Sequence, residues 1–238
     1  MSNRMSDQGA LLELVQANRI LAHERVLDAF GHVSIRDTEA GYHISRSRSP
    51  ELVSLEDIQH YDADSKIVGS DTRGGYLERV IHGAIYRVRP DVRAVCHFHS
   101  PSIMPFCVTG RPWMPVTHLG ATVGMTVPFW DEQAKFGDTD MLVSTAEQGA
   151  SLAAALRAHS AVLLRNHGAV VVGGGIPELV MRSIQLCRNA DVLMQSLAVG
   201  EPRSLTPGEV TLSGAKNLEP RVLERVWDYH LSRAGLDG

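Results

Sequence analysis

The chain has little of what several protein classes require. Three cysteines occur in 238 residues, Cys96, Cys107 and Cys187; none forms a CxxC pair, and so sparse and odd a set does not build a disulfide framework. Lys66, Lys135 and Lys216 are the only lysines, which argues against chemistry through a Schiff-base lysine. No stretch approaches the run of about eighteen apolar residues that a bilayer span needs. Charges of one sign never run together, and the formal net charge is -4, so a nucleic-acid or membrane-surface role has no electrostatic support. Met1 to Gln8 is polar and lacks the apolar core of a signal peptide; a cytoplasmic location is expected. Repeats, low-complexity tracts and linker-like stretches are missing too, which leaves one domain over residues 1–238 as the expected organisation.

What is present suits a globular chain: 44% apolar residues for one large core and 21% charged residues to cover it. Leu11, Leu12, Leu14, Val15, Ile20, Leu21, Leu27 and Phe30 predict an amphipathic first helix closed by Gly31. His32–Arg36 and Tyr42–Ser45 read as short strands. Asp71–Gly75 reads as loop, before a helix from about Tyr76 to Arg89 that stops at Pro90. Ala94–His99 reads as a buried strand, with a helix start permitted after Pro101. Glu147–His159 is an alanine-rich helix, and Ala161–Arg165 and Ala169–Val172 are strands about a glycine-rich turn. Helices from about Pro177 to Val199 and over Leu218–Ser232 complete the pattern. Gly173-Gly174-Gly175 follows a strand, but GxGxxG is absent, so no dinucleotide site is expected. The fold class is α/β, with a mainly antiparallel or mixed central sheet.

Two histidine motifs carry the chemistry. In His97-Phe98-His99 the histidines lie two apart on a strand, so both imidazoles point to one face and can reach one ion. Alone, the pair reads more readily as two partly buried histidines. Arg165-Asn166-His167-Gly168 sets a histidine at a strand end, where it can project into a cleft or simply make a turn. Glu78 opens the helix ending near Arg89, a position where acids are common because they complement the helix dipole. Each element is ordinary by itself; their combination is not.

That combination resembles the class II aldolase/adducin family. Glu78-Arg79-Val80-Ile81-His82-Gly83-Ala84-Ile85-Tyr86, then Arg89-Pro90-Asp91-Val92, then His97-Phe98-His99-Ser100-Pro101 is similar to its core signature. Arg165-Asn166-His167-Gly168 resembles its third-histidine motif, and Phe30-Gly31-His32-Val33-Ser34 its early Gly-Asn-x-Ser turn. The resemblance spans roughly residues 10 to 200. It implies an α/β/α sandwich around a mostly antiparallel sheet, with His97, His99 and His167 as ligands to one divalent metal ion per chain. Glu78 is implied as a fourth ligand or adjacent base. Three imidazoles and a carboxylate suit Mn²⁺ or Zn²⁺ foremost, with Fe²⁺ or Co²⁺ as alternatives. A homotetramer with sites at subunit boundaries is also implied, and Tyr229 is the candidate for reaching a neighbouring subunit.

Departures from the pattern select the reaction. His32 stands where the family has asparagine, Ile44-Ser45-Arg46-Ser47-Arg48-Ser49-Pro50 puts arginine where a loop glycine belongs, and Tyr76-Leu77 replaces the serine pair before the glutamate. A phosphate cradle is hard to build from such side chains. Arg46–Leu52, Val116–Ala121 and Phe136–Asp140 resemble instead the decarboxylase branch, which acts on hydroxy-substituted aromatic, pyridine or muconic-semialdehyde carboxylic acids. The expected activity is therefore metal-dependent decarboxylation of such a small-molecule acid through a metal-stabilised enolate. His118 is the candidate general acid, and His32, Ser47, Arg48 and Arg73 are substrate-binding candidates, the arginines for a second carboxylate. The rivals are an aldolase for a non-phosphorylated or differently anchored hydroxy-carbonyl compound and a non-catalytic module of the adducin kind.

Overall fold

A computed structural model describes residues 2–37 and 41–236. The first helix, α1 (Ser2–His23), buries Leu14, Ala17, Ile20 and Leu21 at helical spacing. It ends well before the expected Phe30, which is exposed. Arg25 takes a left-handed φ of 60°. The Arg25 amide then donates to the Ala22 carbonyl (3.0 Å) and the Val26 amide to that of Leu21 (2.9 Å). This is a Schellman stop with arginine in the seat usually held by glycine, so composition concealed it. Gly31, also at positive φ, serves another purpose: a Cβ there would meet the His97 carbonyl oxygen at 2.8 Å.

Strands β1 (His32–Arg36) and β2 (Tyr42–Ser45) occur as expected, and β3 (Ile58–Tyr61) extends them into a meander. The third strand was not anticipated. Its inward positions are Gln59 and Tyr61, and a buried glutamine hides the apolar alternation. Helix α2 (Arg79–Val88) leads to β4 (Ala94–Phe98), followed by α3 (Met104–Thr109), β5 (Phe129–Trp130), α4 (Gln133–Phe136) and α5 (Ala146–Leu156). Strands β6 (Ala161–Leu164) and β7 (Gly168–Gly173) precede α6 (Ile176–Val199), α7 (Pro207–Asn217) and α8 (Pro220–Arg233). The C-terminal region thus holds a helix more than the sequence reading gave. Thr206 caps α7 in a capping box with Glu209, a signal legible as Thr-Pro-Gly-Glu.

Among the described residues, one seven-stranded sheet runs in the order β3-β2-β1-β4-β7-β6-β5. Every pairing is antiparallel except β5 with β6. Ala94, Cys96 and Phe98 of β4 pack with α1 and α6 on one side, while Val95 joins Ile81 and Ile85 of α2 and Leu152 of α5 on the other. The fold is therefore the expected sandwich of helices on both faces of the sheet. His97 lies between Cys96 and Phe98 on the strand, so it points to the α2 side, where Glu78 stands. No helix among the described residues is long and apolar enough to cross a membrane.

Candidate metal centre

Helix α2 begins only at Arg79, so Glu78 occupies its N-cap position instead of a helical turn. Its carboxylate caps no α2 amide; Oε1 accepts from the Val143 backbone N–H at 3.1 Å. That bond turns the acid away from the helix end and toward the histidines. Glu78 Oε2 lies 3.4 Å from His97 Nε2, and Oε1 lies 3.7 Å from His167 Nε2. His99 Nε2 is 3.0 Å from His97 Nε2. Ligand atoms of Glu78, His97, His99 and His167 all fall within 4.8 Å of one another.

Local backbone chemistry delivers each group. His97 and His99 share a face at the end of β4. Asn166 takes a left-handed φ of 54°, which asparagine tolerates better than most residues, and this turns His167 back toward β4. Gly168 must follow, because a Cβ there would meet the Phe98 carbonyl oxygen at 2.2 Å. The Asn-His-Gly string is thus a turn whose histidine is aimed.

The donor set fits a divalent cation. His97 Nδ1 is bonded to the Ala169 carbonyl at 3.1 Å; a carbonyl only accepts, so Nδ1 carries the proton and Nε2 is a bare lone pair. Packing lone-pair nitrogens and a carboxylate this closely is favourable when a cation sits among them. Three imidazoles with one carboxylate are the borderline ligand set of first-row divalent ions. A second group, Asp37, His43 and His60, lies on the β1–β3 edge. Its His60 Nε2 and Asp37 Oδ2 are already paired at 3.0 Å.

Electrostatics agree with neutral imidazoles at His99 and His167. Burial, reinforced by His97, lowers His99 and His167 to about 4. Burial raises Glu78, but its electrostatic coupling to His97, then to His167 and His32, outweighs it and leaves the carboxyl net lowered. Burial also depresses His82, to about 3, and His32. Folded imidazoles below their ordinary 6.5 bind fewer protons than the unfolded chain as acid is added, so stability falls with pH there. Glu78 acts in another window, its contribution disappearing only below the ordinary 4.5. The metal-free protein is therefore expected to lose Tm progressively between pH 6.5 and 4.5; a flat Tm across that interval would show that these rings are not buried neutral.

Around these four grouped side chains, the structure sorts the other candidates. His32 is buried beside His97, with ring centroids 5.3 Å apart, and Tyr76 packs on it at 4.5 Å. The Tyr76 hydroxyl donates to the Arg48 carbonyl, which ties the Arg46–Ser49 loop to this end of the site. Within that loop the Ser47 amide donates to the Gly74 carbonyl. Arg48 Nε donates to Leu52 O at 2.7 Å and lies 3.2 Å from Asp57. Arg73 is more fully engaged, with Nε and Nη2 on Asp71 and Nη1 on the Glu56 carbonyl. His118 is not in the four-ligand group: the Asn217 amide of α7 donates to its Nε2 at 3.2 Å. Tyr229 stands half-exposed on α8 under the Arg233 guanidinium. Sequence reasoning did not single out Ser34, His82 or Tyr86, which form a buried chain behind His32. A signal was available, because Glu78, His82 and Tyr86 recur every four residues along α2, on the face of Ile81 and Ile85.

Residues 12–194 match the family described as Class II Aldolase and Adducin N-terminal domain. The decarboxylase tropJ of Talaromyces stipitatus is 33% identical over 233 residues, covering 87% of this chain and 87% of its own. The 3,4-dihydroxyphthalate decarboxylase of Arthrobacter keyseri is 26% identical over 211 residues, 82% of each chain. The solved L-fuculose 1-phosphate aldolase of Glaciozyma antarctica superposes with a TM-score of 0.78 at 22% identity, over 95% of this chain and 90% of that one; so distant a likeness shows the fold alone. A family match across most of the chain, together with decarboxylase relatives along nearly its whole length, settles the affiliation: the chain belongs to the class II aldolase and adducin family, on its decarboxylase branch.

Proposed function

We propose that the protein is a divalent-metal-dependent carboxy-lyase for an acid that bears a hydroxyl or enol beside the departing carboxylate. Hydroxy-substituted aromatic, pyridine and muconic-semialdehyde acids form that substrate class. The observation that carries this reading is Tyr76, whose ring lies on His32 and whose hydroxyl is spent on the Arg48 backbone. A flat aromatic wall replaces the small hydroxyls that would cradle a phosphate, and a planar substrate packs well against such a wall. The aldolase alternative has no comparable feature in its favour.

Glu78, His97, His99 and His167 would hold the ion. When bound, a divalent cation there supplies Lewis-acid stabilisation of the negative charge that develops on the substrate oxygen as CO₂ departs. The Ala169 carbonyl fixes the His97 ring and the Val143 amide fixes one Glu78 oxygen, so the ligands are pre-aligned. Glu78 is proposed also to move a proton to or from the reacting group. Arg48 is the arginine proposed for a second carboxylate. Its Nε is occupied, while neither Nη makes a hydrogen bond among the described residues, so a bidentate grip remains available. Ser47, in the same loop, is proposed beside it. His118 remains the proposed acid only if Asn217 releases its ring or a neighbouring subunit brings it close. The proposed working unit is a homotetramer, with Tyr229 offered toward the neighbour.

The test is a panel of hydroxy-carboxylic acids and sugar phosphates, with CO₂ and aldehyde measured separately on metal-loaded protein. CO₂ is expected from an acid of the stated class, and none from the methyl ether of its hydroxyl, which can neither tautomerise nor become an oxyanion. Aldehyde from a sugar phosphate, with no CO₂ from any acid, would transfer the assignment to the aldolases.

A further inference from the structure

Behind the ligands runs a chain of four hydrogen-bonding side chains. His32 Nδ1 meets His82 Nε2 at 2.7 Å, His82 Nδ1 meets Ser34 Oγ at 2.6 Å, and Ser34 Oγ meets the Tyr86 hydroxyl at 2.7 Å. His32 and Ser34 lie two apart on β1, and His82 and Tyr86 lie four apart on α2, so strand and helix periodicities place all four between the sheet and the helix. All four are buried. A chain of neutral donors can run in one of two directions, and the direction decides which nitrogen of His32 carries its proton.

The inner end decides it. Beyond Ser34, the Tyr86 hydroxyl has no other hydrogen-bond partner among the described residues. If donation ran inward from His32, through His82 and Ser34 to Tyr86, the tyrosine proton would have nowhere to go. If His82 and Tyr86 both donated to Ser34, the serine proton would be stranded instead. A buried donor without an acceptor is costly, whereas an oxygen that keeps one unused lone pair costs little. Only outward donation places every proton: Tyr86 to Ser34, Ser34 to His82 Nδ1, and His82 Nε2–H to His32 Nδ1. His32 must then carry its own proton on Nε2.

The ring that carries it packs beside the metal centre, its centroid 5.3 Å from that of His97. Nε2 is on the ring edge turned away from His82, and His32 sits directly across from His97 in the β1–β4 register. The buried side-chain polar atoms lacking any partner are Asn18 Oδ1 and Ser183 Oγ among the described residues. His32 Nε2 makes no hydrogen bond among the described residues and is not among these sealed atoms, so its proton remains available to an acceptor that enters beside His97. Tyr76, packed on the ring at 4.5 Å, holds it from swinging.

We propose that the Tyr86–Ser34–His82 chain locks His32 as the Nε2–H tautomer, which offers a fixed hydrogen-bond donor to an ionised oxygen of the substrate beside the four metal ligands. The site then selects oxyanion acceptors at that point, and Ser34, His82 and Tyr86 are positioning residues acting through His32. The substrate half rests on the function proposed above; the tautomer half does not.

The test is nitrogen-15 NMR of histidine-labelled, zinc-loaded protein, with the His32 signals assigned by their loss in His32→Asn. Before any acid is added, His32 and His82 are both expected to show protonated Nε2 and bare Nδ1. A protonated Nδ1 on His32 overturns the proposal. Titration with 2-hydroxybenzoate should then move the His32 Nε2–H signal. His32→Leu should weaken that binding at least about tenfold, while His32→Asn, which keeps an N–H donor, should lose less. A His32 signal unmoved at any soluble concentration, or equal losses in the two variants, overturns the donor role. Because no step is a turnover assay, a protein that passes here and releases no CO₂ contradicts the proposed reaction and leaves this inference standing.

Discussion

Replacing His167 with alanine is expected to strip the divalent ion from the protein at ordinary buffer concentrations and to lower kcat/KM by about a thousandfold. The figure follows from the several kcal/mol that a Lewis acid contributes to a charged transition state, since about 4 kcal/mol is three powers of ten in rate. His167 suits this test because it stands on the turn between β6 and β7, only partly buried. Its loss opens no core cavity, so the fold should persist, with unchanged circular dichroism as the check. His97, fully buried between Glu78 and the Ala169 carbonyl, would confound metal loss with misfolding. His60→Ala is the matched control: it removes a histidine from the edge group with Asp37 and His43, and metal content and turnover should stay within a factor of about two, as for most surface changes. Equal metal content in His167→Ala and the parent, with full activity, would remove this residue from the centre.

The second large effect is expected at Glu78. Glu78→Gln keeps the shape of the side chain and its carbonyl oxygen, so the Val143 N–H retains an acceptor. What disappears is the charge that faces His97 and His167, together with any capacity to take up a proton. Three imidazoles still hold a first-row ion, as in three-histidine catalytic sites. Metal content should therefore fall only in part, while kcat drops between about 10² and 10⁴, the range associated with a positioned acid or base. Metal analysis and steady-state rates on one preparation separate the two losses. Turnover at the parental level in Glu78→Gln would reduce this carboxylate to an N-terminal helix acid.

How much of this was readable beforehand depends on what kind of interaction placed each residue. His97 and His99 were legible because strand periodicity alone puts them on one face. His167 was legible because asparagine and glycine flank it, one tolerating the left-handed turn and the other the close approach to Phe98. Glu78 was singled out, but what aims it was not: the helix begins at Arg79, about three residues after the start expected near Tyr76, and a backbone amide 65 residues away holds the carboxylate. The end of α1 was missed because Arg25 adopts a conformation that its side chain does not favour. Gln59 concealed β3 by pointing a polar group inward, where Tyr61 and the Arg73 carbonyl satisfy it.

Candidates chosen by residue type fared less evenly than those chosen by spacing. Arg73 had the right chemistry, yet Asp71, two residues earlier, closes on its guanidinium, a local pairing favoured whatever lies in the cleft. His118 was selected for its titration range and lies instead with Asn217, a partner on a helix the sequence reading had not separated. His82 and Tyr86 went unremarked although they continue the Glu78 face of α2. Their partners are on β1, and the β1–β4 register that aligns His32 with His97 is a tertiary fact that single-segment periodicity does not contain.

The central claim is that this metal centre drives loss of CO₂ from a hydroxy-substituted acid. Its most direct test follows a carboxyl-carbon-13-labelled acid of that class in deuterated buffer, with the same protein sample metal-loaded and then stripped by a chelator. The account predicts one labelled CO₂ for each product molecule, solvent deuterium on the vacated carbon, and near-complete loss of both on stripping, with recovery when the ion is returned. Labelled CO₂ released at the same rate by the stripped protein, or a full panel of such acids left intact while a sugar phosphate is cleaved, would contradict it.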